Sequence, residues 1–205
     1  MPPDIFLINR NDPQIIKTLA AVNLPIHEMN FLATISHHEK RAELTDRRKS
    51  LRFYLGMTMG ASPELIPLST GPTGQVLVDG FHVSVASRGN YIAIAIGYHP
   101  IGIDIETSIE TIPFAVLHPC EIEKLEKGNN HQVLAAMIWA AKESAWKCLE
   151  LPFTTDPKSL GVCLKDCGEF TVEHGPSVTL RGHVKWNEDK QLAVAYCLSS
   201  KVLCD

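Results

Sequence analysis

Hydrophobic and polar residues alternate without a break through Ile101-Gly-Ile-Asp-Ile-Glu106. That is the period of a strand, with Ile101, Ile103 and Ile105 on one face and Gly102, Asp104 and Glu106 on the other. Further on, Leu134, Ile138, Ala141, Ala145 and Cys148 recur at spacings of four, three, four and three. They predict a helix from about residue 131 to 150, ended by Leu151-Pro152. Glu143 and Lys147 lie away from that stripe, one turn apart.

The same reading extends along the chain. Ile5-Phe-Leu-Ile8 predicts a strand, and Asp12-Pro13 an N-cap and first helical residue for a helix through about Val22. Ser36-His-His-Glu39 has the capping-box pattern, with His37 and His38 as solvated first-turn residues. A basic helical stretch follows from Arg41 to Gly56, turning Leu44, Leu51 and Leu55 toward a core. After the turn Gly71–Gln75, the Asp79-Gly80 step joins Val76–Val78 to Phe81–Val85 as a hairpin. A turn at Ser87-Arg-Gly-Asn90 leads into Tyr91–Ile96. A helix starts at Pro119 with Glu121 in its first turn, and strands are expected at Glu169–Glu173, Val178–Trp186 and Gln191–Leu198.

One stretch echoes another. His82-Val-Ser-Val85 followed by Ile92-Ala-Ile-Ala-Ile96 is matched by His183-Val-Lys-Trp186 followed by Leu192-Ala-Val-Ala-Tyr196. The pattern fits an α+β protein of two similar halves related by a pseudo-twofold.

Composition narrows the functional classes. At 205 residues and 45% hydrophobic, the chain can bury one sizeable core or two small fused ones. A net charge of −4 leaves no broad basic field, so no nucleic-acid partner is expected. The first ten residues lack the basic region and apolar length of a secretory signal, and no segment approaches a membrane span. Six cysteines, at 120, 148, 163, 167, 197 and 204, form no C-x-x-C. They read as free, mostly structural thiols of a cytoplasmic protein.

The chemistry concentrates on the alternating strand and the long helix. Same-face neighbours on a strand stand about 6.5–7 Å apart, so Asp104 and Glu106 repel unless a proton or cation lies between them. Their oxygens suit a hard cation such as Mg²⁺, which completes its shell with water and phosphate. Glu143 and Lys147 alone read as a solvated pair worth a few tenths of a kcal/mol; beside a two-acid strand they read as part of a site.

Together, Gly102-Ile-Asp-Ile-Glu106 and Trp139-Ala-Ala-Lys-Glu-Ser-Ala-Trp-Lys147 resemble the paired signatures of the 4′-phosphopantetheinyl transferase superfamily. The upstream half makes its surfactin-synthetase-activator type the nearer relative. The resemblance implies transfer of the phosphopantetheine arm of coenzyme A to a serine of an acyl or peptidyl carrier protein, releasing 3′,5′-ADP. It implies a monomer with an N-terminal half, 1–102, for coenzyme contacts and a C-terminal half, 103–205, for the metal and catalysis. Asp104, Glu106 and Glu143 would hold Mg²⁺, Glu143 would help take the serine proton, and Lys147 would neutralise the leaving phosphate. Glu121 would be a further acid near the metal, and Lys142 either a functional or a packing residue. Arg41, Leu44, Arg48, Arg52 and Leu55 fit the family's cation-bearing helix, which makes Arg48 and Arg52 coenzyme contacts.

The upstream half departs from the family twice. Gly74-Gln75-Val76 stands where Gly-Lys-Pro is usual, and Ala86-Ser87 replaces a Ser-His pair whose histidine meets the 3′-phosphate. Ser87 offers only a neutral hydroxyl there. Arg88 is either the substitute cation or a solvated turn residue. A non-catalytic module that docks a carrier protein or synthase is the alternative reading.

Overall fold

The computed structural model describes residues 2–175 and 178–199. The first half runs β1 (Asp4–Asn9), α1 (Pro13–Ala20), α2 (Ile26–Ala33), α3 (His38–Met59), β2 (Ser69–Thr70), β3 (Val76–Val78), β4 (Phe81–Arg88) and β5 (Tyr91–Gly97). The second runs β6 (Ile101–Thr107), α4 (Pro119–Lys127), α5 (His131–Cys148), β7 (Leu160–Leu164), β8 (Glu169–His174), β9 (Val178–Asn187) and β10 (Leu192–Ser199). Each half forms one antiparallel five-stranded sheet, ordered β1-β5-β4-β3-β2 and β6-β10-β9-β8-β7. Counted within its own half, each sheet has the same order, and the two echoing segments fall on β4–β5 and β9–β10. The chain crosses between sheets at residues 98–100. The expected division between residues 102 and 103 therefore cuts β6, where Ile101 is already paired with Leu198.

Local rules account for most boundaries. Asp12 caps α1 by accepting from the Gln14 amide, and α3 ends on Gly60 in the left-handed region. The capping box expected at Ser36 is not used. His37 is the cap instead, its Nδ1 accepting from the Lys40 amide, because the helix begins one residue later than the pattern implies. Ser87 and Arg88 stay in β4, and the reversal is confined to Gly89-Asn90, with Gly89 at φ +55°. Cys204 lies outside the described residues. No helix is long and apolar enough to cross a membrane among the described residues.

Apolar clusters tie these elements together, one of them joining α4 to α5 through Leu125, Ala135 and Ile138. Leu51 and Leu55 of α3 pack on Ile8, Ile92, Ile94 and Ile96. In the second half Ala136, Ala140, Ala141 and Ala145 of α5 pack on Val172, Val184, Ala193 and Ala195. Between the halves, Ile101, Ile103 and Ile105 meet Ala86, Ala93 and Ala95. The alternating strand is thus buried on both faces, isoleucines against the first sheet and Gly102, Asp104 and Glu106 against α5.

Each half also holds one buried ion pair. Arg52 of α3 donates to both oxygens of Glu28 on α2 and to the carbonyls of Pro63 and Ile66. Lys142 of α5 pairs with Glu121 of α4 at 2.8 Å and donates to the carbonyls of Pro157 and Leu160. In both halves a cation on the long helix holds an acid on the preceding short helix and the 3₁₀ turn before the edge strand. Breaking such a pair from one side typically costs about 3–5 kcal/mol, because the remaining charge is stranded.

Gly102 sets the distance between α5 and β6. A methyl group there would overlap the Ser144 carbonyl oxygen and the Cys148 amide nitrogen, both backbone atoms of α5. Gly102→Ala should therefore push the helix outward and lower stability by roughly 1–3 kcal/mol or more. Urea unfolding checks this, and an unchanged midpoint would contradict the close approach.

Candidate active site between the two sheets

The close approach of α5 brings Lys147 to the strand rather than to Glu143. Its Nζ donates to Asp104 Oδ1 at 2.6 Å and to the Ile103 carbonyl at 3.1 Å. Asp104 and Glu106 are both buried. From the first half, Arg88 places Nη2 3.0 Å from Glu106 Oε2, an ion pair across the junction. The angles do not make it a hydrogen bond, so Glu106 Oε2 is buried without a hydrogen-bond partner. Ser84 of β4 accepts the Ile103 amide, fixing the two sheets to one another beside the acids.

These surroundings disfavour ionised carboxyls. Burial raises the Asp104 carboxyl above its ordinary range despite Lys147 and Arg88. Glu106 is raised by burial and by Asp104 and Glu143, against Arg88. Glu143 is raised by burial and by Asp104, against Lys147. The three expected acids thus feel one another. Yet among the described residues no three His, Cys, Asp or Glu side chains converge closely enough to hold a metal; Asp104 and Glu106 are paired instead with Lys147 and Arg88. The donor set itself fits a hard divalent cation: all oxygen, mutually repelling, with one buried oxygen unbonded.

The cavity beside this cluster, about 420 Å³, is lined by Arg47, Gln75, Ser84, Glu143, Lys147 and Phe153 among others. Arg47 also lines an adjoining cavity of about 410 Å³ with Arg48 and Phe31. On the other side, a bond from Gln75 to Glu150 at 3.2 Å separates the first cavity from one of about 620 Å³, with Lys147 reaching both. A trough therefore runs between the first half and α5, past Glu143 and Lys147.

The remaining expected residues fare differently. Arg48 is half-buried, 3.1 Å from Glu28 and over the Phe31 ring at 5.0 Å, and it borders the trough. Ser87 donates to Glu43 at 2.7 Å. Arg52 is 1% exposed with its donors taken up inside the first half, away from the trough. Glu121 is fully buried, accepting from the Val162 and His118 amides and holding Lys142. It is an internal counter-ion, not a further metal ligand, and Lys142 is its partner. The residue the sequence reading passed over is Arg47, whose Nη2 donates to the Val85 carbonyl. Burial lowers its pKa, opposed by Glu43 and Asp104. It stands next to Arg48 in the same basic run, but the i,i+4 pattern selects 48 and 52.

Residues 100–197 match the 4′-phosphopantetheinyl transferase superfamily. The matched stretch begins where the chain enters the second sheet and includes Asp104, Glu106, Glu143 and Lys147. Residues 1–99, with Arg47 and Arg88, lie outside the match. No curated protein matches the chain.

Glu143 provides a test of this electrostatics. A carboxyl whose folded pKa is raised binds its proton more tightly in the native state, so it favours folding at low pH. That contribution is lost as pH climbs from the unfolded value, about 4.3, through the folded one. Glu143→Gln should therefore raise the melting temperature at pH 7.5, with the gain shrinking to nothing near pH 4. A gain independent of pH, or a loss at neutral pH, would contradict the arrangement.

Proposed function

We propose that this chain is a 4′-phosphopantetheinyl transferase of the surfactin-synthetase-activator type. It moves the phosphopantetheine arm of coenzyme A onto a serine of an acyl or peptidyl carrier protein and releases 3′,5′-ADP. What carries the reading is one charge cluster: Asp104 paired with Lys147, Glu106 paired with Arg88, and Glu143 within range of Asp104, beside a cavity that Arg47, Glu143 and Lys147 line. The acids and Lys147 lie on two signature stretches within the superfamily match.

Mg²⁺ held by Asp104, Glu106 and Glu143 would offset the pyrophosphate's charge and draw electron density from the attacked phosphorus. The serine oxygen bonds to the phosphorus bearing the pantetheine arm as the bond from that phosphorus to the bridging oxygen breaks. Glu143, its carboxyl raised by burial and by Asp104, takes the serine proton, and Lys147 neutralises the departing phosphate. Arg47 and Arg48 on α3 and Arg88 on the hairpin supply cations to the coenzyme's phosphates. Ser87 contributes a hydroxyl to the 3′-phosphate. The resting pairs must therefore open, with Arg88 passing from Glu106 to phosphate and Lys147 from Asp104 to the leaving oxygen.

In this reading the protein is a cytoplasmic monomer with coenzyme A between two halves related by a pseudo-twofold. The matching pairs Glu28–Arg52 and Glu121–Lys142, with the shared strand order, support such a repeat. The same resting pairs favour a second reading. Acids already neutralised by Lys147 and Arg88, with Gln75 and Ser87 in place of the family's lysine and histidine, suit a module that docks a carrier protein or synthase without chemistry.

Intact-mass analysis separates the two. Incubated with coenzyme A, Mg²⁺ and an apo carrier protein, the chain should add one phosphopantetheine arm to the carrier. Asp104→Ala should abolish that addition while remaining folded, since it removes one of several crowded acids. A stable complex without addition selects the docking module. Normal turnover by the variant would overturn the role given to the acids.

A further inference from the structure

Two sulfurs meet outside the trough. Cys120, in the first turn of α4, and Cys163, on the edge strand β7, bring their Sγ atoms to 3.8 Å, although 43 residues separate them in sequence. Cys163 is exposed and Cys120 half-buried. Cys120 Sγ is also 3.1 Å from His118 Nδ1 and 3.5 Å from the Val162 carbonyl oxygen. The His118 ring reaches this position because Gly161 on β7 has no side chain; a methyl group there would stand 3.1 Å from Nδ1. The thiols, the imidazole and the bare glycine together make a small pocket of sulfur chemistry on the surface of the second half.

We propose that Cys120 and Cys163 are a reversible disulfide site that joins α4 to β7 when the chain meets a small-molecule disulfide. The exposed Cys163, as its thiolate, attacks one sulfur of that disulfide, forming a mixed disulfide and expelling one thiolate. Cys120 then attacks Cys163 Sγ, its proton passing to His118 Nδ1, and the second small thiolate leaves. Two protein thiols are oxidised and one small disulfide is reduced to two thiols. Side-chain rotation closes the remaining gap to a bond of about 2 Å. Burial and the Cys163 sulfur hold the Cys120 thiol up to about 12, so the attack begins at Cys163 and needs the neighbouring imidazole to finish. Cys148 and Cys197 also approach one another, but both are buried and out of reach of a small oxidant.

The bond would brace the second half beside an existing clamp. Glu121, next to Cys120, already holds Lys142 and the Val162 amide. A cross-link between residues so distant in sequence restrains the unfolded chain, so oxidation should raise the melting temperature by several degrees and a reductant should reverse it.

The test treats the purified full chain with oxidised glutathione, alkylates the remaining thiols and maps the digest. A peptide pair joining Cys120 to Cys163 is expected in the wild type and in Cys167→Ser, and is lost in Cys163→Ser and Cys120→Ser. Cys163 is exposed, so Cys163→Ser carries the test even if Cys120→Ser folds poorly. Glutathione that stays on Cys163 without a link, a link from Cys163 to any other cysteine, or an unmodified Cys163 would each overturn the proposal.

Discussion

Two buried carboxyls and a half-buried third, within range of one another, are the constraint on which this structure turns. Asp104 and Glu106 share one strand face, and Glu143 looks at them from α5. Each carboxyl is pushed up by burial, and Glu106 and Glu143 also by their acidic neighbours. Such a group cannot stay ionised without cations at hand. The fold supplies two of them from opposite directions: Lys147 from the helix on the same side and Arg88 from a hairpin of the other sheet. The junction between the halves is therefore held by charge as well as by the isoleucine–alanine contact beneath it.

The long helix α5 carries two lysines with opposite surroundings. Lys142 turns inward to Glu121, where the pair is sealed from water and its carbonyl contacts fix the approach to β7. Lys147 turns to the strand and stays partly in solvent. The difference follows from position. Lys142 sits beside Ala141 on the packed side, whereas Lys147 lies where Gly102 lets the helix edge meet β6. In the first half Arg52 repeats the inward role, leaving Arg47 and Arg48 to face the trough.

Much of this was legible in the sequence because it is periodic. The two-residue period of β6 and the helical stripe of α5 each identify their faces, and the signature stretches mark Asp104, Glu106, Glu143 and Lys147. The domain match reaches the same segment. The helix α2 was missed because Ile26, Met29 and Phe31 are exposed, so no amphipathic contrast marks it. The edge strand β7 was missed because a five-residue apolar run carries no period of its own. Glu121 and Arg52 turn inward, away from the roles expected of them, for a common reason that the sequence does not show. A charged residue in a helix reads as solvated or functional until its partner is known, and both partners come from another helix. Only the flanking Leu51 and Leu55, around Arg52, hinted that it points inward. The meeting of Cys120 with Cys163 is likewise a product of tertiary contact alone.

The central claim is that the acids are a cation site kept shut by Arg88 and Lys147 until coenzyme A draws those two away. Titration of Mn²⁺, in place of Mg²⁺, followed by electron paramagnetic resonance tests it most directly, because it reads metal binding without requiring turnover. Binding should be weak to the chain alone and at least about tenfold tighter with coenzyme A present, a coupling on the order of 1.4 kcal/mol. Equal affinity with and without the coenzyme, or no binding in either case, would contradict the account.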